Sequence, residues 1–368
     1  MPEALKNVYS AEFINQLTSI WKTVLPQLNE NQFANRVFIS GWEKLELKQR
    51  MSHLADVTIR ELPKNFKKSA PIIGELMNAL VKANIPVGNF EYMFIPEIVL
   101  KLGIDDLEES FLTIEHITTY SSCEFAIRPF ILKYEAATMD QMLKWSKHKH
   151  ENVRRLASEG CRSRLPWSMA LPKFKKDASL IVPILENLKE DESLFVRKSV
   201  ANNLNDISKD LPYLALQLAN KWYGHNKNSN WIVKHGLRTL LKAGNPESMI
   251  IFGYSPINKL TISELNLTQE IVQFGKELHF KCSIKNKSTS EGLIRLEYFI
   301  HLLKQNGTQT KKIFKLTEKT LAPNETLDIS KNHQFKAINT RKYYPGMHAI
   351  SLVVNGIEFK KQPFLLNM

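Results

Sequence analysis

The sequence predicts a multidomain α + β fold, in which a helical solenoid is followed by an all-β sandwich. Apolar residues recur at helical spacing up to about residue 253, whereas the rest of the chain consists of short alternating runs. Within the helical part, a short motif repeats at intervals of 43 and 37 residues. We therefore expect a helical domain over residues 1–255, a linker over 256–262 and a sandwich over 263–368.

The repeated motif is a valine followed by basic residues. Val153, Val196 and Val233 occupy equivalent positions, and each motif follows another stretch of helical periodicity. This spacing predicts pairs of helices of the HEAT type, which stack side by side into an α-solenoid. Because the basic residues recur at one point of successive repeats, we expect a basic stripe that matches a nucleic-acid backbone.

The C-terminal part contains about seven short apolar runs, bounded by turn formers such as Asn306-Gly307 and Pro345-Gly346. Seven or so strands over roughly a hundred residues are typical of an immunoglobulin-like β-sandwich. Basic residues near its predicted turns make the sandwich a candidate second DNA clamp, and a solubilising or partner-binding module is the alternative. These residues are Lys285, Lys287, Lys311, Lys312, Arg341 and Lys342.

The composition favours a polyanionic partner. The net charge is +13, with 50 Lys and Arg against 37 Asp and Glu, and both predicted domains are basic. Three separated cysteines indicate a reduced cytoplasm without a structural metal, and no apolar run is long enough for a membrane span. No metal-binding H-x-x-x-H pair beside a carboxylate, phosphate-binding loop or nucleophile elbow is found, which argues against those enzyme classes.

An insertion at residues 159–167, between the first two repeats, brings acidic residues into this basic setting. On a helical wheel Val196, Val200, Leu204 and Ile207 form the core face of the next helix, and Asp206 lies at its edge. In the register of the repeats, Glu159 lies one turn before the level of Asp206. We therefore expect the two carboxylates to project from adjacent helices toward one surface.

Taken singly, these residues have simpler interpretations. Asp206 would pair with Lys209 or a backbone amide, Glu159 would pair with Arg155, and Trp167 would belong to the core. Their joint occurrence near two arginines favours a functional site, because acids in a groove meant for phosphates are costly unless they have a role. Three asparagines within residues 202–205 are poor helix formers and predict hydrogen bonds to a neighbouring repeat or to a ligand.

The segment VRRLASEGCRSRLPW, followed by DESLFVRKSVANNLNDISKDLP, resembles the AlkC family of DNA alkylation repair glycosylases, and SSCEFAIRPF is similar to an upstream motif of that family. The resemblance implies excision of cationic 3-methyladenine and 3-methylcytosine from duplex DNA, without full base flipping and without a cofactor. It also implies a monomeric bacterial protein in the cytoplasm, associated with the nucleoid through DNA. The alternative is a non-enzymatic HEAT-repeat scaffold that binds nucleic acid or protein.

The resemblance implies catalytic roles for four residues: Glu124, Glu159, Trp167 and Asp206. Carboxylates suit the reaction because they stabilise the oxocarbenium-like sugar and orient water, while an aromatic face attracts a cationic base. Asp206 is the expected catalytic carboxylate, Glu159 and Glu124 share electrostatic and lesion-contact roles, and Trp167 packs against the lesion nucleotide. The expected phosphate ligands are Arg128, Arg154, Arg155, Arg162, Arg164, Arg197, Lys198, Lys234 and Arg238.

Overall fold

The computed structural model describes residues 4–337 and 342–368. Its α-helices are α1 (Ala11–Trp21), α2 (Glu30–Val37), α3 (Leu47–Ile59), α4 (Phe66–Lys82), α5 (Phe94–Gly103), α6 (Leu107–Thr118), α7 (Ile127–Lys133), α8 (Glu135–Trp145), α9 (Glu151–Glu159), α10 (Pro172–Lys176), α11 (Val182–Leu188), α12 (Leu194–Asp210), α13 (Pro212–Trp222), α14 (Lys227–Gly236), α15 (Arg238–Lys242) and α16 (Pro246–Ile251). Its strands are β1 (Leu260–Ile262), β2 (Asn266–Leu267), β3 (Ile271–Gln273), β4 (Glu277–Asn286), β5 (Gly292–Leu303), β6 (Gln309–Leu321), β7 (Thr326–Gln334), β8 (Gly346–Val354), β9 (Ile357–Glu358) and β10 (Gln362–Asn367).

The chain divides into two compact units whose boundary differs from the expected one at residue 255. The first unit comprises residues 1–211 and 224–236, and the second comprises 212–223 and 237–368. In the second unit α13 packs on α16, so three helices accompany the strands. The expected linker 256–262 contains β1, which pairs with β4 through three residues.

In the first unit, the repeat prediction accounts for the packing of the central helices. Helix α12 packs against both α9 and α14, and the repeat valines Val153, Val196 and Val233 are all buried. The predicted core face of α12 is buried as well. The side-chain amide of Asn203 donates to the carbonyl of Ser158 at 2.8 Å, so one of the three asparagines does bond to a neighbouring repeat.

In the second unit the strands form two sheets. One contains β1, β2 and β7 paired with β4, and the other has the order β3-β10-β8-β5-β6 with β9 on β8. All pairs are antiparallel except β10 with β3. The core between them includes Phe280, Leu296, Phe335 and Phe364. Each predicted run contains a strand, but the last run, residues 357–366, contains two, β9 and β10, and the strands that lie outside the predicted runs, β1 and β2, are only three and two residues long.

Within residues 4–337 and 342–368, no helix is long and apolar enough to cross a membrane. In the same residues, no group of three or more His, Cys, Asp or Glu side chains is arranged to hold a metal ion.

Candidate active site

The C-terminal end of α9 lies in close contact with its neighbours. Gly160 follows Glu159, the last residue of the helix, and a Cβ at Gly160 would lie 2.7 Å from the Ile127 side chain and 2.9 Å from that of Met142. Ordinary side chains cannot pack at such distances, so a glycine is needed here. This close approach brings the segment after α9 against α7 and α8.

Three carboxylates and three cations of the first unit form a continuous series, which we call the charge ladder: Glu124, Arg155, Glu159, Arg162, Asp206 and Lys209. Glu124 lies 2.7 Å from Arg155, and Arg155 lies 4.0 Å from Glu159. Arg162 then lies 2.7 Å from Glu159 and 2.9 Å from Asp206, whose other oxygen is 3.3 Å from Lys209. The opposite charges alternate along the whole series.

The centre of the charge ladder is buried. Asp206 is 1% exposed, Glu159 is 5% exposed and Arg162 is 7% exposed. Burial alone would lower the pKa of Arg162, but the charges of Glu159 and Asp206 outweigh it and hold that pKa above its ordinary value. Arg162 was expected to be a phosphate ligand. In the structure its guanidinium instead pairs with two interior carboxylates, Glu159 and Asp206.

Arg128 was also expected to contact phosphate, and the structure instead places it in the interior with no exposed surface. Its Nη1 donates to the carbonyls of Gly160 and Arg162 at 2.8 Å, and its Nε donates to the carbonyl of Met169 at 2.8 Å. Burial lowers its pKa to about 10, which leaves it charged at neutral pH. Arg128 therefore anchors both ends of the segment 160–169, which contains Trp167, by hydrogen bonds to its main chain.

Trp167 is not a core residue. Its side chain is 62% exposed, and its φ of 63° lies in the left-handed region, where residues other than glycine are strained. The Trp167 carbonyl accepts a hydrogen bond from Lys48 Nζ at 2.8 Å. Lys48 and Arg128 together hold this strained turn, so that an aromatic face projects into solvent.

The arginine that follows each repeat valine has a structural role in the first two repeats. Nη1 of Arg154 donates to main-chain carbonyls of residues 148–149, and Nη1 of Arg197 donates to those of 191–192. Arg154 also pairs with Asp191 at 2.6 Å, and hydrogen bonding to that carboxylate raises its pKa. Both side chains thus fold back onto the loop before their helix, and the phosphate role expected of Arg154 and Arg197 stays a prediction.

The remaining expected phosphate ligands lie in different surroundings. Arg155 belongs to the charge ladder, and Arg164 pairs with Asp210 at the surface, where its hydrogen bond lowers the pKa of that carboxyl. Lys198 and Lys234 are exposed on α12 and α14. Arg238 begins α15 in the second unit. The structure thus brings the three predicted acids into one series but does not gather the predicted basic residues into a stripe.

Comparison with known proteins identifies the family. A family model described as a DNA alkylation repair enzyme matches residues 58–240, and one described as the C-terminal Ig-like domain of uncharacterised protein YhaZ matches residues 261–368. The uncharacterized protein YhaZ of Bacillus subtilis (strain 168) is 38% identical over 352 residues, which are 96% of either chain.

A solved structure is similar over the whole chain. It is the alkylpurine DNA glycosylase AlkC of Pseudomonas fluorescens, bound to DNA containing an abasic site analog. The TM-score is 0.79 and the identity is 32%, with 100% of both chains covered. The predicted fold class, a HEAT-like helical region followed by an immunoglobulin-like sandwich, is confirmed. The chain belongs to the DNA alkylation repair enzyme family and carries the Ig-like C-terminal domain of YhaZ.

Proposed function

We propose that this protein is a DNA glycosylase that hydrolyses the N-glycosidic bond of cationic alkylated bases, chiefly 3-methyladenine and 3-methylcytosine, in duplex DNA. The observation that carries the proposal is the charge ladder, together with an exposed tryptophan in the segment that Arg128 anchors. Burying carboxylates is costly unless they are paired, and this chain pairs each of them with a cation. An arrangement of this kind holds carboxylates in fixed positions within a basic protein without adding net charge.

The reaction needs little acid catalysis. A cationic base leaves as a neutral molecule when the glycosidic bond breaks, so the chemical difficulty lies in the sugar, which develops oxocarbenium character. Preorganised carboxylates stabilise that positive charge without reorganising at the moment of reaction. We assign Asp206 as the carboxylate that faces the sugar and orients water, with Glu159 and Glu124 reinforcing the field.

Access to Asp206 is from the side of Lys209. Its partner Arg162 is buried with it, whereas the Lys209 side chain is 38% exposed. A DNA phosphate that approaches Lys209 would draw its ammonium away from the carboxylate and open one oxygen of Asp206 to the sugar. The exposed face of Trp167 then packs against the lesion nucleotide, and an exposed surface of this kind needs no full rotation of the base.

In this proposal the protein acts as a monomer and binds DNA through exposed cations, which include Lys198 and Lys234 of the sequence prediction. We retain the sandwich as a second DNA clamp. Its candidate lysines divide between the two sheets, with Lys285 on β4 and Lys311 on β6, and Arg341 lies outside the described residues. Lys311 is paired with Glu358 and stacks over Phe299, which makes it a weaker candidate.

The test is release of free base from duplexes that contain a single 3-methyladenine or 3-methylcytosine. Asp206→Asn should lower the single-turnover rate about 100-fold or more, while binding to the duplex is retained. Asp210→Asn is the matched control, since Asp210 lies one turn further along α12 and pairs with Arg164 at the surface. Equal rates for the two variants would contradict the role of Asp206.

The same experiment distinguishes a glycosylase from a non-enzymatic HEAT-repeat scaffold. A scaffold would bind both duplexes and release no base from either, whatever residue stands at position 206. A lesion base found buried in a protein pocket, by a co-crystal structure or a fluorescent base analogue, would contradict recognition without full flipping.

A further inference from the structure

A cavity of about 230 Å³ opens beside the Arg155 end of the charge ladder. Its walls combine aromatic and apolar groups, Tyr120, Leu156 and Phe195, with the polar side chains of Ser121 and Arg155. All these residues belong to the first unit. Cavities that bind small planar ligands have this composition, an apolar lining with a few polar groups that fix orientation.

Two hydroxyl groups of residues that line the cavity are unsatisfied, those of Thr118 and Ser121. Ser121 is only 3% exposed, and its Oγ has no hydrogen-bond partner among the residues that the structure describes. A buried hydroxyl without a partner costs free energy, and such groups in folded proteins call for an explanation. The Ser121 Oγ is itself covered, so a ligand with a hydrogen-bonding edge supplies the missing partner once the Ser121 side chain rotates toward the cavity.

The wall beside Ser121 is suited to a flat ring and not to a phosphate. The Arg155 guanidinium lies 4.5 Å from the centre of the Phe195 ring, and Phe195 is 46% exposed, so part of that ring is open to a second planar group. Arg155 is already neutralised by Glu124 at 2.7 Å. A phosphate would therefore find little net positive charge, whereas a heteroaromatic ring would find stacking surface and donors.

We propose that this cavity takes the alkylated base after its release, an inference that rests on the proposed function. When the bond between C1′ and the ring nitrogen breaks, the electron pair stays on the nitrogen and the cationic base becomes neutral. Water adds to C1′ and its proton passes to solvent. The freed nitrogen is a new acceptor, which the Ser121 hydroxyl or an Arg155 N–H can meet.

This chemistry selects the free base over the base in DNA. The nitrogen that would accept from Ser121 is bonded to the sugar before cleavage and cannot accept then. The cavity is therefore a product site adjoining the ladder.

Binding of 3-methyladenine itself tests the assignment, measured by ligand-observed NMR with the full-length protein. Ser121→Ala removes an unpartnered hydroxyl and leaves no new buried polar group, so the fold should be kept, and the affinity should fall roughly 2- to 10-fold. Phe195→Ala removes the stacking face and should weaken binding about 5-fold or more. The control is Tyr213→Ala, an exposed aromatic residue that does not line the cavity.

Two duplexes test whether the cavity takes the released base or the base that is still attached to DNA. One contains an abasic-site analogue, and the other contains a non-cleavable 3-methyladenine analogue. Free 3-methyladenine should bind the protein in both complexes, because the attached base does not occupy the cavity. Displacement by the second duplex alone would overturn the product assignment. Unsaturable binding, or equal affinity for wild type and both cavity variants, would overturn the site itself.

These outcomes are separable from failure of the proposed function. If the protein releases bases from DNA but does not bind the free base, the cavity assignment fails and the glycosylase proposal stands. If it binds the free base in a Phe195-dependent manner but releases none, the glycosylase proposal fails and the cavity remains a nucleobase site.

Discussion

Arg162 is the residue on which the arrangement of the acids depends, and Arg162→Met tests this directly. The variant removes both guanidinium contacts, at 2.7 Å to Glu159 and 2.9 Å to Asp206, and leaves two carboxylates in a region that is less than 10% exposed. Breaking a buried ion pair from one side costs about 3–5 kcal/mol. Arg155 and Lys209 still lie 4.0 Å and 3.3 Å from those acids, which favours the lower end of this range.

The assay is thermal unfolding of the full chain at pH 7.5, monitored with a spectroscopic probe of the helical unit. A loss of about 3 kcal/mol should lower its melting temperature by about 6–12 °C. Adding Asp206→Asn to Arg162→Met removes one orphaned charge and should recover part of the loss. The control, Arg164→Met, breaks a surface pair with Asp210 and should change little. If both arginine variants had the same small effect, the reasoning about the buried centre would be wrong.

Three more predictions concern other parts of the structure. Arg128→Met leaves three main-chain carbonyls around the tryptophan turn without their donor, so limited proteolysis should cut this turn faster than in wild type. Burial lowers the pKa of His348 in the folded protein, so the unfolded state binds a proton at a higher pH than the folded state does. The free energy of unfolding should therefore fall as the pH drops below about 6.5, and an NMR titration in which His348 has an ordinary pKa would refute this. Lys198→Glu with Lys234→Glu should weaken binding to lesion and undamaged duplexes alike and flatten the salt dependence, whereas a lesion-specific loss would contradict a phosphate role.

Periodicity predicted the parts of this fold that depend on repeated burial. The repeat valines and the core face of α12 are buried, as the helical periodicity predicts, because stacked helices bury the apolar face of each helix against its neighbours. The register also brought Glu159 and Asp206 to the same region, and the structure joins them through Arg162. Very short strands such as β2 gave no signal, since two residues carry no alternation.

The direction in which an arginine points could not be predicted from its position in the motif. Arg154 and Arg197 fall on the first turns of their helices, where unpaired carbonyls of the preceding loop compete with any phosphate for the guanidinium. Arg128 bonds to carbonyls 32–41 residues away, and Lys48 reaches Trp167 across 119 residues, contacts that no local pattern encodes. The i,i+3 spacing of Glu159 and Arg162 was the one available signal of a buried pair.

Each carboxylate of the charge ladder is paired with a cation of the ladder. This pairing explains how a protein of net charge +13 that is proposed to bind DNA can contain acidic residues in its proposed active site. Three carboxylates in a phosphate-binding groove would repel the backbone, but three cations pair with them inside the first unit, so the ladder adds no net charge. Under the proposed function, the surface lysines set the attraction for DNA, and the acids act only at short range, where a positive sugar develops. It follows that removing an acid of the ladder should strengthen DNA binding only slightly, while its effect on catalysis should be large.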